Sequence, residues 1–195
     1  MLILVRHGET EANAAGVLLG QTESPLTEHG RSQVASLAPL VSGARRLISS
    51  PLGRARETAA ALDLDVPVEI DERRAEIHYG ELDGHPLAGL PPELLREWRG
   101  DPGFRPPGGE TLTELGRRVR DACEELFAQR GQGARGDGDV VVVSHVSPIK
   151  AAVAWALGAG DEISWRLHLS TASITRVAWG VDGPVLRVFN DTLPA

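Results

Sequence analysis

The chain has 195 residues, 42% hydrophobic and 24% charged, with a formal net charge of -7 at neutral pH. That length fits a single domain over 1–195 with a real core. The negative balance argues against nucleic acid as a main partner, because a phosphate backbone needs a basic face, although a small phosphorylated ligand needs only a local cluster of cations. Cys123 is the one cysteine, which excludes an internal disulfide. There is neither a membrane-length apolar run nor a charged-then-apolar leader, so no membrane and no export are expected, and the cytoplasm is the expected compartment.

In chain order, Met1–Val5 reads as a short strand apolar on both faces, as parallel sheets require. Thr27 is placed to cap a helix whose apolar positions Val34, Leu37, Leu40 and Val41 follow at helical spacing. "RRLISS" is the next strand. Pro51 then opens the first turn of a helix running to about Leu62, and "VPVEI" follows as a third strand. From Asp71 to Gly109, Gly and Pro are frequent and the text is loop-like, with one short helix over Pro92–Trp98. "GGETLTELGRRVRDACEELFAQ" is a long amphipathic helix capped near Glu110–Thr111, and "GQGARGDGD" is a flexible surface loop. Val140–Val143 forms a central strand followed by a helix over Pro148–Leu157. Ala172–Trp179 and Val185–Asn190 form a hairpin around "GVDGP". Strands alternating with helices predict an α/β sandwich with a mostly parallel sheet. In such sheets ligands sit beyond the carboxyl ends of the strands.

Two distant apolar runs, "LILVRHGETEAN" and "DVVVVSHVSPIK", each stop at a histidine. If the two strands are parallel neighbours, His7 and His145 emerge side by side at the ligand edge. Arg6 stands there too, Gly8 allows a close backbone approach, and Asn13 follows one loop later. Arg54 lies early in its helix with Thr58 one turn along the same face. Guanidinium forks match phosphate oxygens, and helix starts offer free N–H groups. Together these residues describe a phosphate pocket with a nucleophile that needs no metal. Taken singly, each has an ordinary explanation: a histidine after a strand is commonly a solvated end, helix arginines face water, and Asn13 can shape a turn.

The joint pattern is more specific. "RHGET" with Asn13 six residues after the histidine resembles the histidine phosphatase superfamily, the phosphoglycerate mutase-like group that also includes many acid phosphatases. "SPLTEHGRSQVASL", "SSPLGRARETAAAL", "AEIHYGELDG", "PPGGET" and "VVVVSHV" resemble further family segments, in family order, from Leu2 to about Leu157. The resemblance implies a three-layer α/β/α sandwich. It also implies His7 as nucleophile and Glu76 as proton donor. Arg6, Asn13, Arg54 and His145 would form the phosphate pocket, with His145 counted among the catalytic groups. Neutral imidazole is a competent nucleophile near neutral pH, and a bound anionic phosphate favours a protonated carboxyl beside it. Glu72, Glu81, Asp83 and Glu9 are rival carboxylates, but Glu76 precedes "HYG" at the family spacing. His78 and Tyr79 are candidate substrate contacts, and Trp98 and Phe104 are candidates for an apolar rim. His29, His85 and His168 match no motif and are read as surface residues. No third ligand stands at metal-typical spacing around His7 and His145, and no cofactor is expected.

Two departures from the family pattern matter. Leu19 stands just before Gly20, where many relatives carry a phosphate-binding polar residue, so either Gln21 or the backbone compensates or phosphate is held less tightly; Gly20 and Gln21 are further candidate substrate contacts. Glu76 and Glu110 lie only 34 positions apart, without the longer basic insertion of cofactor-dependent mutases. The phosphohistidine is then open to water, which favours the phosphatase branch. "SHVSPIK" resembles the wording of α-ribazole phosphatases. The expected activity is hydrolysis of a small phosphorylated metabolite; the alternatives are a phosphoglycerate mutase-type phosphomutase and a non-catalytic phospho-ligand binder. The apolar last strand is expected as an edge that pairs two subunits into a homodimer.

Overall fold

The computed structural model describes residues 1–129 and 138–192. The surface loop expected over 131–139 lies, up to residue 137, outside the described residues.

Six strands form one sheet in the order β3-β2-β4-β1-β5-β6. They are β1 (Leu2–Arg6), β2 (Ala44–Ser49), β3 (Val68–Ile70), β4 (Asp139–Ser144), β5 (Ile174–Trp179) and β6 (Pro184–Asp191). The first four strands in that order are parallel, while β5 and β6 are added antiparallel. The helices are α1 (Glu11–Ala14), α2 (Glu28–Val41), α3 (Gly53–Ala61), α4 (Pro92–Gly100), α5 (Leu112–Ala128) and α6 (Val146–Leu157).

Alternation within continuously apolar strands explains the three layers. Leu2, Leu4, Ile48, Val140, Val142 and Val177 face Leu115, Val119 and Cys123 of α5 and Ile149 of α6. Ile3, Val5, Leu47, Val141, Val143 and Ile174 face Val34 and Leu37 of α2 and Ala55 and Ala59 of α3. A side-chain period of two sends successive residues to opposite faces, so a strand buried on both sides has no polar position. The expected α/β/α sandwich is the observed one.

Local signals place the helix starts. The Thr27 hydroxyl accepts from the Gly30 N–H at the head of α2, and Thr111 and Glu114 form a reciprocal capping box on α5. Two starts differ from expectation. Pro51 precedes the N-cap Leu52, whose N–H is bound by Ser50 Oγ at 3.3 Å, so the chain is still turning off β2 at the proline. Helix α6 begins at Val146, directly after its N-cap His145, with Pro148 inside the first turn. A proline is tolerated there because those N–H groups have no intrahelical partner. The final hairpin also starts later than expected: Ala172 takes a left-handed φ of 48°, and regular β5 pairing begins at Ile174.

The segment between β3 and α5 is ordered rather than loose. Three short 3₁₀ turns, Glu72–Arg74, Gly80–Leu82 and Leu87–Gly89, precede α4, and another over Asp161–Arg166 follows α6. Arg74 is 1% exposed. Its guanidinium donates to the Ala122 carbonyl at 3.0 Å and reaches Asp71 at 3.5 Å, which ties this connection to α5. Among the described residues no helix is long and apolar enough to cross a membrane.

Candidate active site

Strand register brings the two histidines together. Arg6 pairs with Ser144 across β1 and β4, so the next residue on each strand is a histidine leaving the sheet at the same edge. Their ring centroids are 5.1 Å apart. The His7 N–H donates to Ser144 O at 3.1 Å, and His7 O accepts from Ala172 N at 3.0 Å. Gly8 lies so close to α2 that a Cβ there would stand 2.5 Å from Gly30 O, which requires glycine. The Gly8 N–H donates to Thr58 Oγ1, and the Thr58 hydroxyl donates to Arg54 O.

The hydrogen bonds settle both tautomers. His7 Nδ1 lies 2.7 Å from Gly8 O. A carbonyl can only accept, so Nδ1 carries the proton and Nε2 keeps its lone pair. Burial, with Arg6 and Arg54 nearby, pushes the His7 pKa well below its ordinary 6.5. His145 has the opposite tautomer: its Nδ1 accepts from Arg54 Nε at 3.2 Å, and its Nε2 donates to Ser50 Oγ at 2.7 Å. Burial, then His7 and the two arginines, depress it well below 6.5 as well. Both imidazoles are neutral at physiological pH.

A cleft of about 250 Å³ opens at this edge. Arg6, His7, Asn13 and Glu76 line it, with Ser147 and Lys150 from α6. Arg6 donates to Leu169 O at 2.6 Å, while its buried Nε has no partner. Desolvation lowers the Arg6 pKa to about 10, which still leaves it charged at neutral pH. Asn13 Oδ1 is taken by the Thr10 N–H in the cap of α1, so its amide NH₂ remains for the cleft. Glu76 is 3% exposed. Its Oε1 accepts from Ile77 N at 2.8 Å and from Ser147 N at 3.2 Å, in the first turn of α6, where N–H groups favour an anion. Arg118 of α5 binds the carbonyls of Arg73, Ala75 and Glu76 and forms an ion pair with Glu110. It thereby locks the backbone that carries Glu76.

Other expected residues lie elsewhere. Arg54 and His145 are 1% and 0% exposed and stand behind His7 rather than in the cleft wall. Arg54 spends its fork on Gly20 O at 2.6 Å and Thr22 O at 3.0 Å. Gly20 and Gln21 do not line the cleft, because Asp83 takes their N–H groups at 2.7 and 3.0 Å. Leu19 does line it. His78 is exposed and accepts from the Gly80 N–H. Tyr79 lines the cleft, edge-on to Trp98 at 5.5 Å, and burial pushes its phenol far above the ordinary value. Trp98 belongs to both core and cleft, and Phe104 packs 6.3 Å from it outside the cleft. His29, His85 and His168 are exposed.

Four contributors escaped the sequence reading: Ser50, Ser147, Lys150 and Trp165. Placing the start of α6 two residues late hid the Ser147 N–H as a helix-terminal donor; Lys150 lay inside the expected helix, but nothing in its spacing marked it as a cleft residue. Nothing in sequence spacing marks Ser50 or Trp165.

The histidine phosphatase superfamily (branch 1) model matches residues 2–192. The chain is 36% identical over 200 residues to the Bifunctional protein Rv2228c of Mycobacterium tuberculosis, covering 98% of this chain and 54% of that one. It thus spans about half the length of the first curated relatives it matches. It is also 36% identical over 206 residues to a protein of Yersinia pestis named Probable phosphoglycerate mutase GpmB, covering 97% and 92%. Among solved structures, the mycobacterial glucosyl-3-phosphoglycerate phosphatase Rv2419c in complex with VO3 superposes with a TM-score of 0.86, at 30% identity over 98% of each chain. A mutant phosphoserine phosphatase of Entamoeba histolytica in complex with phosphoserine gives a TM-score of 0.87 at 28% identity, over 97% of this chain and 95% of that one.

Proposed function

Because the chain belongs to the histidine phosphatase superfamily (branch 1), we propose that it is a cytoplasmic, single-domain phosphomonoesterase of the acid-phosphatase type. It hydrolyses a small phosphorylated metabolite without a metal, through a phosphohistidine. The observation that carries this reading is the His7 Nδ1–Gly8 O bond of 2.7 Å. It leaves a neutral Nε2 lone pair in a cleft shared with Arg6 and Glu76.

His7 Nε2 attacks phosphorus in line as the ester P–O bond breaks, and the departing alkoxide takes a proton from Glu76. Water then attacks the phosphohistidine and gives a proton to Glu76. The P–N bond breaks, and inorganic phosphate and neutral His7 are restored. Arg6 neutralises charge on the phosphoryl oxygens and the Asn13 amide donates a hydrogen bond to them, while the Arg54 guanidinium, bonded to His145 behind His7, adds its positive field.

The name of the Yersinia pestis relative favours a second reading, a phosphomutase, which returns the phosphoryl group to substrate instead of water. One experiment separates the two. Phosphate release is measured over a panel of phosphometabolites in EDTA, with His7→Ala as the blank. We expect steady release that falls by about 10⁴-fold or more in the variant, as for loss of a nucleophile. Phosphate exchange between substrate and product without net release would select the mutase, and saturable phosphate binding with no turnover would select a binder.

The reading extends to assembly. β6 leaves an unpaired edge bearing Val185, 39% exposed, and two such edges pair into a homodimer. A gel-filtration profile containing only monomer would remove that part.

A further inference from the structure

Lys150 follows Ser147 by three positions on α6, one turn further along the same face, and lines the cleft with Arg6, His7 and Glu76. Among the described residues its ammonium has no hydrogen bond and no ion pair. It is nevertheless substantially withdrawn from water: burial lowers its pKa, and the attraction of Glu76 does not offset this. Glu76 is committed to the N–H groups of Ile77 and Ser147. The other chain cations near the site are engaged, Arg6 with Leu169 O and Arg54 with Gly20 O, Thr22 O and His145. A cation held in a half-dry cleft without a counterion is costly unless an anion arrives with the ligand.

The opposite walls are apolar: Val17, Leu18, Leu87, Trp98, Leu112 and Trp165 line the same space. Trp165 is braced edge-on by Trp98 at 5.4 Å and covered by the Arg99 guanidinium at 5.7 Å. The cleft therefore presents a phosphate end, a lone cation and a broad apolar flank.

We propose that Lys150 determines specificity by binding a second anionic group, carried on the alcohol portion of the substrate. The substrate class is then a small phosphorylated acid or bisphosphate whose carbon skeleton packs on the tryptophan wall. This rests on the phosphatase reading for the position of the phosphate at His7. The ammonium contacts the leaving group, so Lys150 acts on selectivity between esters rather than on the phosphoryl transfer common to all of them.

Binding tests the inference independently of turnover. Phosphoglycerate, propanediol bisphosphate and glycerol phosphate are titrated calorimetrically into His7→Ala protein, then into the His7→Ala, Lys150→Met double variant. Glycerol phosphate lacks only the second anion. At least one probe with a second anionic group should bind about tenfold tighter than glycerol phosphate, as a charge-assisted hydrogen bond allows. Whichever probe gains more identifies carboxylate or phosphate as the preferred group. The preference should collapse in Lys150→Met and persist in Lys150→Arg, with melting curves checking that each variant folds. Equal affinities for all three probes, or a preference that survives Lys150→Met, would overturn the assignment. Selective binding by a wild-type protein that releases no phosphate would support Lys150 and count against the phosphatase reading alone.

Discussion

The two ends of the cleft are built by different means. At the His7 end, where the proposed function places the phosphate, the groups come from strand ends and helix starts of the central sheet, and they hold one another. His145 links Arg54 to Ser50, Arg54 grips the 20–22 turn, and Asp83 clamps that turn from the other side. At the other end the lining is largely apolar, drawn from α4, the 3₁₀ turns and α5, with Lys150 unpaired among the described residues. Rigid, mutually satisfied groups suit a reaction whose geometry is the same for every phosphate ester. A greasy wall with one cation suits discrimination between alcohols.

The contrast is tested most severely at Glu76, which sits where the two ends meet. Glu76→Gln removes the proton donor, so kcat for an alkyl phosphate should fall by about 10²–10⁴-fold. Release of an acidic phenol from an aryl phosphate needs little protonation and should fall far less in the first step. Equal losses for both ester types in burst-phase kinetics would deny Glu76 the acid role. Arg54→Ala should behave in the opposite way. It weakens a field that every ester experiences, so alkyl and aryl phosphates should lose activity alike, by about 10²-fold. It also orphans the buried carbonyl of Gly20 and the part-buried one of Thr22, at a cost of about 2 kcal/mol in stability, readable by urea titration. Loss confined to one ester type would move Arg54 to the leaving-group end.

A further effect comes from pH. His7 and His145 have folded pKa values depressed below the unfolded 6.5. As pH falls below 6.5 the unfolded chain binds protons that the folded site refuses. Stability is then lost on the acid side at up to about 1.4 kcal/mol per pH unit for each ring. Denaturant midpoints measured between pH 7 and 5 should therefore fall, and the fall should be shallower in His145→Asn. A flat profile would mean that the site admits protons or water more freely than its burial indicates.

The sheet strands and the histidines that close two of them were legible in the sequence because each rests on local pattern. Continuous apolar runs such as Val140–Val143 identify strands buried on both faces, and a histidine closing each run marks the ligand edge. The Thr27 and Thr111 caps were legible for the same reason: a cap is a contact over three or four residues. The start of α6 was misread because Pro148 looked like a helix start, although a first-turn position tolerates it equally well. That two-residue displacement concealed Ser147, whereas Lys150 lay inside the expected helix and was missed because helix membership alone does not show which cavity a side chain lines.

Gly20 and Gln21 show where local pattern stops: the Gln21 amide reaches the Glu76 carbonyl, while the backbone of the turn is directed elsewhere. Their proximity to the motif suggested phosphate contact, but a backbone N–H points wherever the turn directs it. Asp83, more than sixty residues away, directs both toward itself. Sequence alone determined that His7 and His145 each close a strand buried on both faces, since a period of two leaves a fully apolar strand little freedom; the β1–β4 pairing made those strands neighbours. Only the tertiary structure decided that Arg54 stands behind His7, that Trp165 walls the cleft and that Lys150 is left without a partner. Those outcomes depend on how segments remote in the chain pack together, and a side chain's hydrogen-bonding partners are set by that packing rather than by its neighbours in sequence.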